Sequence, residues 1–297
     1  MGLVPVRTGG SRGTVAGMAN ENMREFWTSG ATGWVAHRDL FDAELAPFGD
    51  AVLAAASPGP GDRVLDVGCG TGVLVARSLA AGAVPVGVDI SPTMIDGATA
   101  AVPGGRFLLA DAQTDDLVDH GPFDVVISRF GVMFFDDPTA AFANIRSATV
   151  PGARLAFACW RGEDENAMFT LGTSVLLDRM DPPLGPRPPG PGPMAFADPD
   201  LVRSVLDGAG WTEIAIERFD ATCAYGRDGS DGVEERLTML LNTGAGRAAR
   251  DNLEARSGPD GWAALLDEVR DELRRNLVDG EVRFTGATWL VTARNPG

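Results

Sequence analysis

An apolar run carrying a single acid, followed by glycines at alternate positions, constrains this chain more than any other stretch: Val64-Leu65-Asp66-Val67-Gly68-Cys69-Gly70-Thr71-Gly72. The run predicts a strand over Arg63–Val67, and the residues after the glycines predict a helix over Gly72–Ala81. Glycines let the backbone turn sharply between the two and let a ligand approach closely. The helix start adds free N–H groups and the positive end of a dipole. Such a turn belongs in an open parallel sheet, where ligands sit at the carboxyl ends of the strands, at a switch point in strand order.

The rhythm that follows agrees. Val84–Asp89, Arg106–Ala110, Phe123–Ser128 and Arg154–Trp160 predict strands, with helices over Ser91–Ala101 and Pro138–Thr149 between them. This alternation implies right-handed βαβ units. Continuous apolar runs fit strands covered on both faces. Ahead of the core, Ala19–Ala56 carries two helical patterns, ended by the breaker Pro58-Gly59-Pro60-Gly61-Asp62. Beyond it, Pro182–Pro193 excludes a helix and reads as a stiff surface loop. A capped helix over Asp198–Ala209, a strand over Glu213–Phe219, helices over Val233–Leu241 and Trp262–Leu277, and a last strand over Arg283–Ala293 complete the reading. No internal repeat interrupts it.

Charge narrows the partners. The net charge is −16, and all 25 basic residues are Arg, so no lysine serves as base or Schiff-base former. Phosphate backbones are bound mainly through basic residues, so nucleic acid is not the expected partner, and neither is an anionic membrane. The first 18 residues lack the apolar core of a signal peptide, and no stretch approaches the roughly 20 apolar residues that span a bilayer. Residues 1–18 are expected to be disordered, with Met18 as an alternative start. The cysteines Cys69, Cys159 and Cys223 are far apart, without CxxC spacing. Neither a metal site nor a disulfide framework is expected, and a reduced cytoplasm fits.

The acids around the glycine loop point to the ligand. The spacing is G-x-G-x-G, not the G-x-G-x-x-G of dinucleotide binders. Asp66 stands two residues before the first glycine. A carboxylate there repels a diphosphate and suits an ammonium group. Asp89 ends the second strand, where an acid can accept from ribose hydroxyls. Asp111 follows the third strand, where it can accept from an exocyclic amine. Together they match an ammonium-bearing nucleoside.

On these motifs the chain resembles the class I S-adenosylmethionine (SAM)-dependent methyltransferases, of the small-molecule type found in ubiquinone/menaquinone and natural-product biosynthesis. Val64–Gly72 is similar to the first motif of that family, Asp89-Ile90-Ser91-Pro92-Thr93-Met94 to its second and Asp111-Ala112 to its adenine-contacting motif. Phe123–Phe130 resembles the fourth, and Val150–Leu155 the turn before the fifth strand. The resemblance covers about residues 35–160 and the strand near 283–294. It implies an α/β, Rossmann-like, doubly wound seven-stranded sheet with its last strand antiparallel and a helical lid. It also implies SAM as cofactor, held by Asp66, Gly68, Cys69, Gly70 and Gly72 at the methionine end, by Asp89, Ile90 and Met94 around the ribose, and by Asp111 and Ala112 at the adenine. Ser128, Arg129 and Phe130 would line the pocket floor, and Trp34 would fold over the cofactor. The chain then divides into lid helices (19–60), a SAM-binding core (61–161), a proline-rich lid insertion (162–197), a return to the core (198–220), a helical cap (221–280) and the final strand (281–297).

The acceptor is less readable. Ser128-Arg129-Phe130-Gly131 replaces the Asn-Pro-Pro-Tyr motif of the family's amide- and nucleobase-nitrogen enzymes, so a small-molecule acceptor is expected. His37 is the candidate general base, with Asp136 and Asp137 as others, although Asp136-Asp137-Pro138 also reads as a helix start. Met168, Phe169, Met180, Met194, Phe196, Met239 and Trp262 are expected to line an apolar acceptor pocket or to be ordinary lid core. Non-methylating chemistry with bound SAM stays open. So do an NAD-type oxidoreductase, which the glycine spacing and Asp66 oppose, and a non-catalytic partner-binding protein.

Overall fold

Val64, Leu65 and Val67 are buried, as their apolar side chains require, Asp66 is buried among them, and their strand lies inside a seven-stranded sheet. The computed structural model describes residues 20–183, 185 and 190–297; the expected extension over 1–18 lies outside them. In chain order, α1 (Glu21–Ala36), α2 (Arg38–Glu44) and α3 (Ala46–Ala56) precede β1 (Arg63–Val67) and α4 (Val73–Ala80). Then come β2 (Val84–Asp89), α5 (Pro92–Ala101), β3 (Arg106–Leu109), β4 (Phe123–Arg129), α6 (Pro138–Ser147) and β5 (Thr149–Trp160). The rest is α7 (Thr173–Leu177), α8 (Pro199–Gly208), β6 (Thr212–Ala224), α9 (Val233–Asn242), α10 (Gly244–Arg275) and β7 (Arg283–Arg294).

The strand order is β3-β2-β1-β4-β5-β7-β6. β1 pairs in parallel with β2 on one side and β4 on the other, so the order reverses beside β1. β7 enters last and runs antiparallel to both β5 and β6. The architecture is the α/β, Rossmann-like doubly wound sheet that the motifs imply.

The differences from the sequence reading have local causes. The leading segment holds three helices rather than two: His37 leaves helical geometry at φ −116° and ψ 26°, and Pro47 sits in the first turn of α3. β6 runs past Phe219 to Ala224 because β7 continues the ladder beside it. α10 starts at Gly244, far upstream of Trp262. Thr243 caps it by accepting from the Gly246 N–H at 3.1 Å, and it kinks at Gly258 (φ 70°) before Pro259. Its first half buries only Gly246, Ala249 and Leu253, too little apolar periodicity to read. Asp137 caps α6 through the Ala140 N–H at 2.9 Å, the helix-start role its sequence offered.

Two apolar clusters carry the fold. The main one surrounds the sheet, with Leu65, Val125, Ile127, Phe142 and Phe157 fully buried. The other joins α7, α9 and α10 through Leu176, Leu240, Val269 and Leu273, and it takes in Phe41 of α2. α2 thus shares a core with α7, α9 and α10. This places α1 and α2 over the carboxyl ends of the central strands.

Candidate functional site

A cavity opens where β1, β2 and β4 end, with α1 as its roof. Its floor is the glycine loop. The Gly68 and Cys69 N–H groups both donate to the Val88 carbonyl, at 2.9 and 3.0 Å, pinning the loop to β2. Gly68 has φ 68°, and a Cβ there would lie 2.6 Å from the Gly131 Cα. Gly72 has φ 84°, and a Cβ would press the Phe107 ring at 2.9 Å. Both positions require glycine on conformation and on space.

The acids sit at different depths. Asp66 is 1% exposed, and its Oδ2 is buried with no hydrogen-bond partner. Burial pushes its carboxyl up to about 7; Arg129 opposes that rise and Asp89 adds to it. Asp89 is committed on both oxygens: Oδ2 accepts from Gly70 N–H and Oδ1 from Ser91 N–H, each at 2.9 Å. Burial raises its carboxyl as well, with those backbone donors pulling it back. Asp111 was expected to meet an exocyclic amine. Its carboxylate already accepts from the Asn20 amide, at 3.1 and 2.9 Å, and from Gln113 N–H at 2.9 Å.

Arg129, at the end of β4, supplies the opposing charge in the cavity wall. Its guanidinium donates to Asp42 Oδ1 of α2 at 3.0 Å, and Thr71 of the glycine loop donates to the other oxygen at 3.4 Å. Asp42 therefore ties the leading helices to both β1 and β4. Phe130 follows at φ 63°, a left-handed conformation rare for an aromatic residue. Its ring stacks on Trp160 at 4.1 Å with planes 3° apart and meets Phe48 edge-on at 5.3 Å. From α1, Trp27 packs edge-on against Phe134 at 4.9 Å, and Trp34 stacks on Phe41 at 3.9 Å. The cavity thus has a charged end at β1 and aromatic walls elsewhere.

The fold gathers most of the expected site residues here. Trp34, Asp66, Gly68, Cys69, Gly70, Asp89, Ile90, Met94, Asp111, Ala112, Arg129 and Phe130 line the cavity. Gly72 and Ser128 stand behind it. Gly72 precedes α4, while Ser128 donates to the Val67 carbonyl at 2.7 Å and accepts from Gly131 N–H at 3.1 Å, bracing the loop. His37 is not brought in; it is exposed at the joint between α1 and α2. Asp136 and Asp137 are spent on Asn20 and on the α6 cap. Met239 and Trp262 belong to the core between α7, α9 and α10 and Phe196 to the core around the sheet, so these pack the fold rather than line this cavity. Cys69 lies in the wall, but burial and the nearby Asp89 and Asp66 push its thiol well up, which disfavours a thiolate.

Sequence reasoning missed Asn20, Met23, Thr71, Phe134 and Phe135 in the wall. Trp27 and Trp34 carried a readable signal, since seven residues apart they share one helix face. Asn20 carried none, because its partners lie far along the chain.

The residues present fit an ammonium-bearing nucleoside. Asp66, in the cavity wall, has a buried carboxyl oxygen without a partner, and the same wall holds the Arg129 side chain and the loop that follows β1. No group of His, Cys, Asp and Glu among the described residues could hold a metal ion.

Comparison with known proteins agrees with this geometry. Residues 65–157 match the family model described as a methyltransferase domain. An uncharacterised protein of Mycobacterium tuberculosis is 34% identical over 123 residues, 40% of this chain and 44% of its own. Aklanonic acid methyltransferase DauC from Streptomyces is 30% identical over 151 residues, 48% of this chain and 65% of its own. The chain thus spans about half the length of these relatives. Among solved structures, Haemonchus contortus phosphoethanolamine N-methyltransferase 2 in complex with SAM superposes with a TM-score of 0.53 at 17% identity, covering 92% of this chain and 60% of that one. The Bacillus protein YcgJ gives 0.52 at 15% identity, covering 86% and 99%. At these identities the likeness is one of fold. Over residues 65–157 the chain is similar to the methyltransferase-domain family, and its fold is the one these solved methyltransferases share.

Proposed function

We propose that the protein is a SAM-dependent methyltransferase acting on a small, apolar, ring-bearing acceptor. The observation that carries the cofactor reading is Asp66, a carboxylate buried at the floor of the cavity with an oxygen that no protein donor meets. An unpaired buried acceptor is costly, and an ammonium group relieves it. Asp66 would hold the cofactor's amino group and Arg129 its carboxylate. Asp89 would meet the ribose and Asp111 the adenine, with Ile90, Met94 and Ala112 packing around them.

When bound, the cofactor supplies an electrophilic methyl group on a sulfonium. The chain's own part is placement and exclusion of water. Trp27, Trp34 and Phe134 cover the cavity, and Phe130, braced by Trp160 and Phe48, presents a rigid wall. Holding an acceptor close and in line contributes much of the acceleration in such a displacement. The titratable wall residues are Asp66, Cys69, Asp89, Asp111 and Arg129. Asp66, Asp89, Asp111 and Arg129 are taken up by the cofactor or by structure, and Cys69 is held as a thiol, so no general base is assigned.

The aromatic walls and the likeness to an aklanonic acid methyltransferase support an aromatic, quinone-like or polyketide-like acceptor. Quinone or secondary-metabolite biosynthesis would be the setting. The leading helices 19–60, the insertion 162–197 and the cap 221–280 would act as the lid. Buried free cysteines and the acidic charge favour a cytoplasmic location.

Calorimetry with SAM and NAD decides the cofactor. A panel of aromatic hydroxyl compounds, quinols, amines and peptides, scored by formation of S-adenosylhomocysteine, decides the acceptor. Reaction with polar amines or peptides alone would sink the acceptor reading. SAM binding without S-adenosylhomocysteine formation would favour non-methylating chemistry.

A further inference from the structure

Asn20 stands at the head of α1, 3% exposed, in the wall of the cavity. Its φ of 61° is a left-handed conformation that asparagine tolerates. Its Nδ2 donates to both Asp111 oxygens, at 3.1 and 2.9 Å, and to Gln113 Oε1 at 3.2 Å. Its backbone N–H donates to Asp136 Oδ2, and its Oδ1 accepts from Asp136 N–H, both at 3.0 Å. One side chain thus ties α1 to the loop after β3 and to the turn before α6. Elsewhere α1 packs largely through apolar surface, with Gly30 and Ala31 buried and Trp27 against Phe134, and a longer contact from Ser91 Oγ to the Trp27 carbonyl at 3.5 Å.

We propose that Asn20 is a positioning residue that latches α1 over the nucleobase end of the cavity and thereby sets how long the cofactor stays. The network is specific in a way that apolar contacts are not. A carboxylate offers about four acceptor directions. The Asn20 amide has two hydrogens, one spread across both Asp111 oxygens and one on Gln113 Oε1, while Gln113 N–H takes Oδ1; this aims the carboxylate and leaves a direction on Oδ2 for an exocyclic amine. The latch therefore supports recognition of the nucleobase while closing the roof. Its functional consequence rests on the SAM reading; the latch itself is a property of the free protein, and the two fail separately.

Asn20→Gly keeps the left-handed backbone and removes the side chain. Asn20→Asp keeps the shape and sets a carboxylate against Asp111 and Asp136. Deuterium exchange of residues 21–36 in the free, full-length protein reads the latch. It should quicken at least tenfold in both variants, with β1 and β4 unchanged. SAM dissociation, followed by stopped flow through Trp27 and Trp34 fluorescence, should quicken about ten- to hundredfold, the size of losing hydrogen bonds to a charged group. In turnover assays KM for SAM should rise while kcat at saturating SAM is not reduced, a split that general loosening of the fold would not produce. Unchanged α1 exchange in Asn20→Gly overturns the latch. Quickened exchange with unchanged dissociation overturns its role in residence time. If the wild-type protein binds no SAM, the cofactor reading and the residence-time role fall together, and the exchange experiment alone decides the latch.

Discussion

Replacing Asp66 by Asn tests the site through the stability of the free protein. Asp66 is 1% exposed, and burial pushes its carboxyl up to about 7 from an ordinary 3.8. The folded state therefore holds this proton at pH values where the unfolded chain has released it. The sign follows from linkage: the stabilisation is fully present below the unfolded value, is lost as pH rises between about 4 and 7, and is flat above. A difference of about three pH units is worth on the order of 4 kcal/mol. The part falling between pH 5 and 8 is roughly 2–3 kcal/mol, and water entering the cavity would reduce it. Asparagine has nearly the same shape and does not titrate, so the difference between the two proteins reads this group together with its coupling to Asp89, while Glu44, raised by burial as well, cancels. Urea denaturation at intervals from pH 5 to 8 measures it. Asp66→Asn should gain on the wild type by roughly that amount as pH rises, and should lose affinity for SAM. At pH 6 calorimetry in buffers of different ionisation enthalpy should show a proton released when SAM binds the wild type and none for the variant. Parallel stability profiles would refute the burial argument, and equal SAM affinity would refute the ammonium assignment.

Asp89→Ala should weaken SAM binding by about 1.5–3 kcal/mol by calorimetry. It should also loosen the glycine loop, because Gly70 N–H and Ser91 N–H lose their acceptor. His37→Ala should leave kcat and KM within about twofold in steady-state assays, since His37 is exposed at the joint between α1 and α2; a large fall in kcat would return it to the chemistry. Tyr225→Phe removes the hydroxyl that donates to the buried Glu44. It should cost about 1–3 kcal/mol in urea denaturation, leaving Glu44 facing Arg236 with less satisfaction. Gly72→Ala should destabilise by about 1–3 kcal/mol, from the left-handed backbone and the Phe107 contact.

The strands of the core were legible because each is a short apolar run bounded by breakers, and the parallel arrangement follows from the helices between them. The cofactor loop was legible for a related reason: glycine spacing and the acid before it are adjacent in the chain, so backbone conformation alone constrains them. The missed first half of α10 shows the limit of that reading. Its few buried residues follow the surfaces of α7 and α9 rather than a strong period of their own.

The sequence by itself determined the sheet, the glycine loop and the acids at its strand ends, since each depends on residues near one another in the chain. Only the tertiary structure decided what meets those acids. Asp42 reaches Arg129 across 87 positions, and Asn20 reaches Asp111 across 91. It likewise placed Trp27 and Trp34 over the cavity and left His37 outside. Hydrogen bonds and burial depend on distance in space, and a sequence pattern carries that information only where the chain itself keeps the residues close.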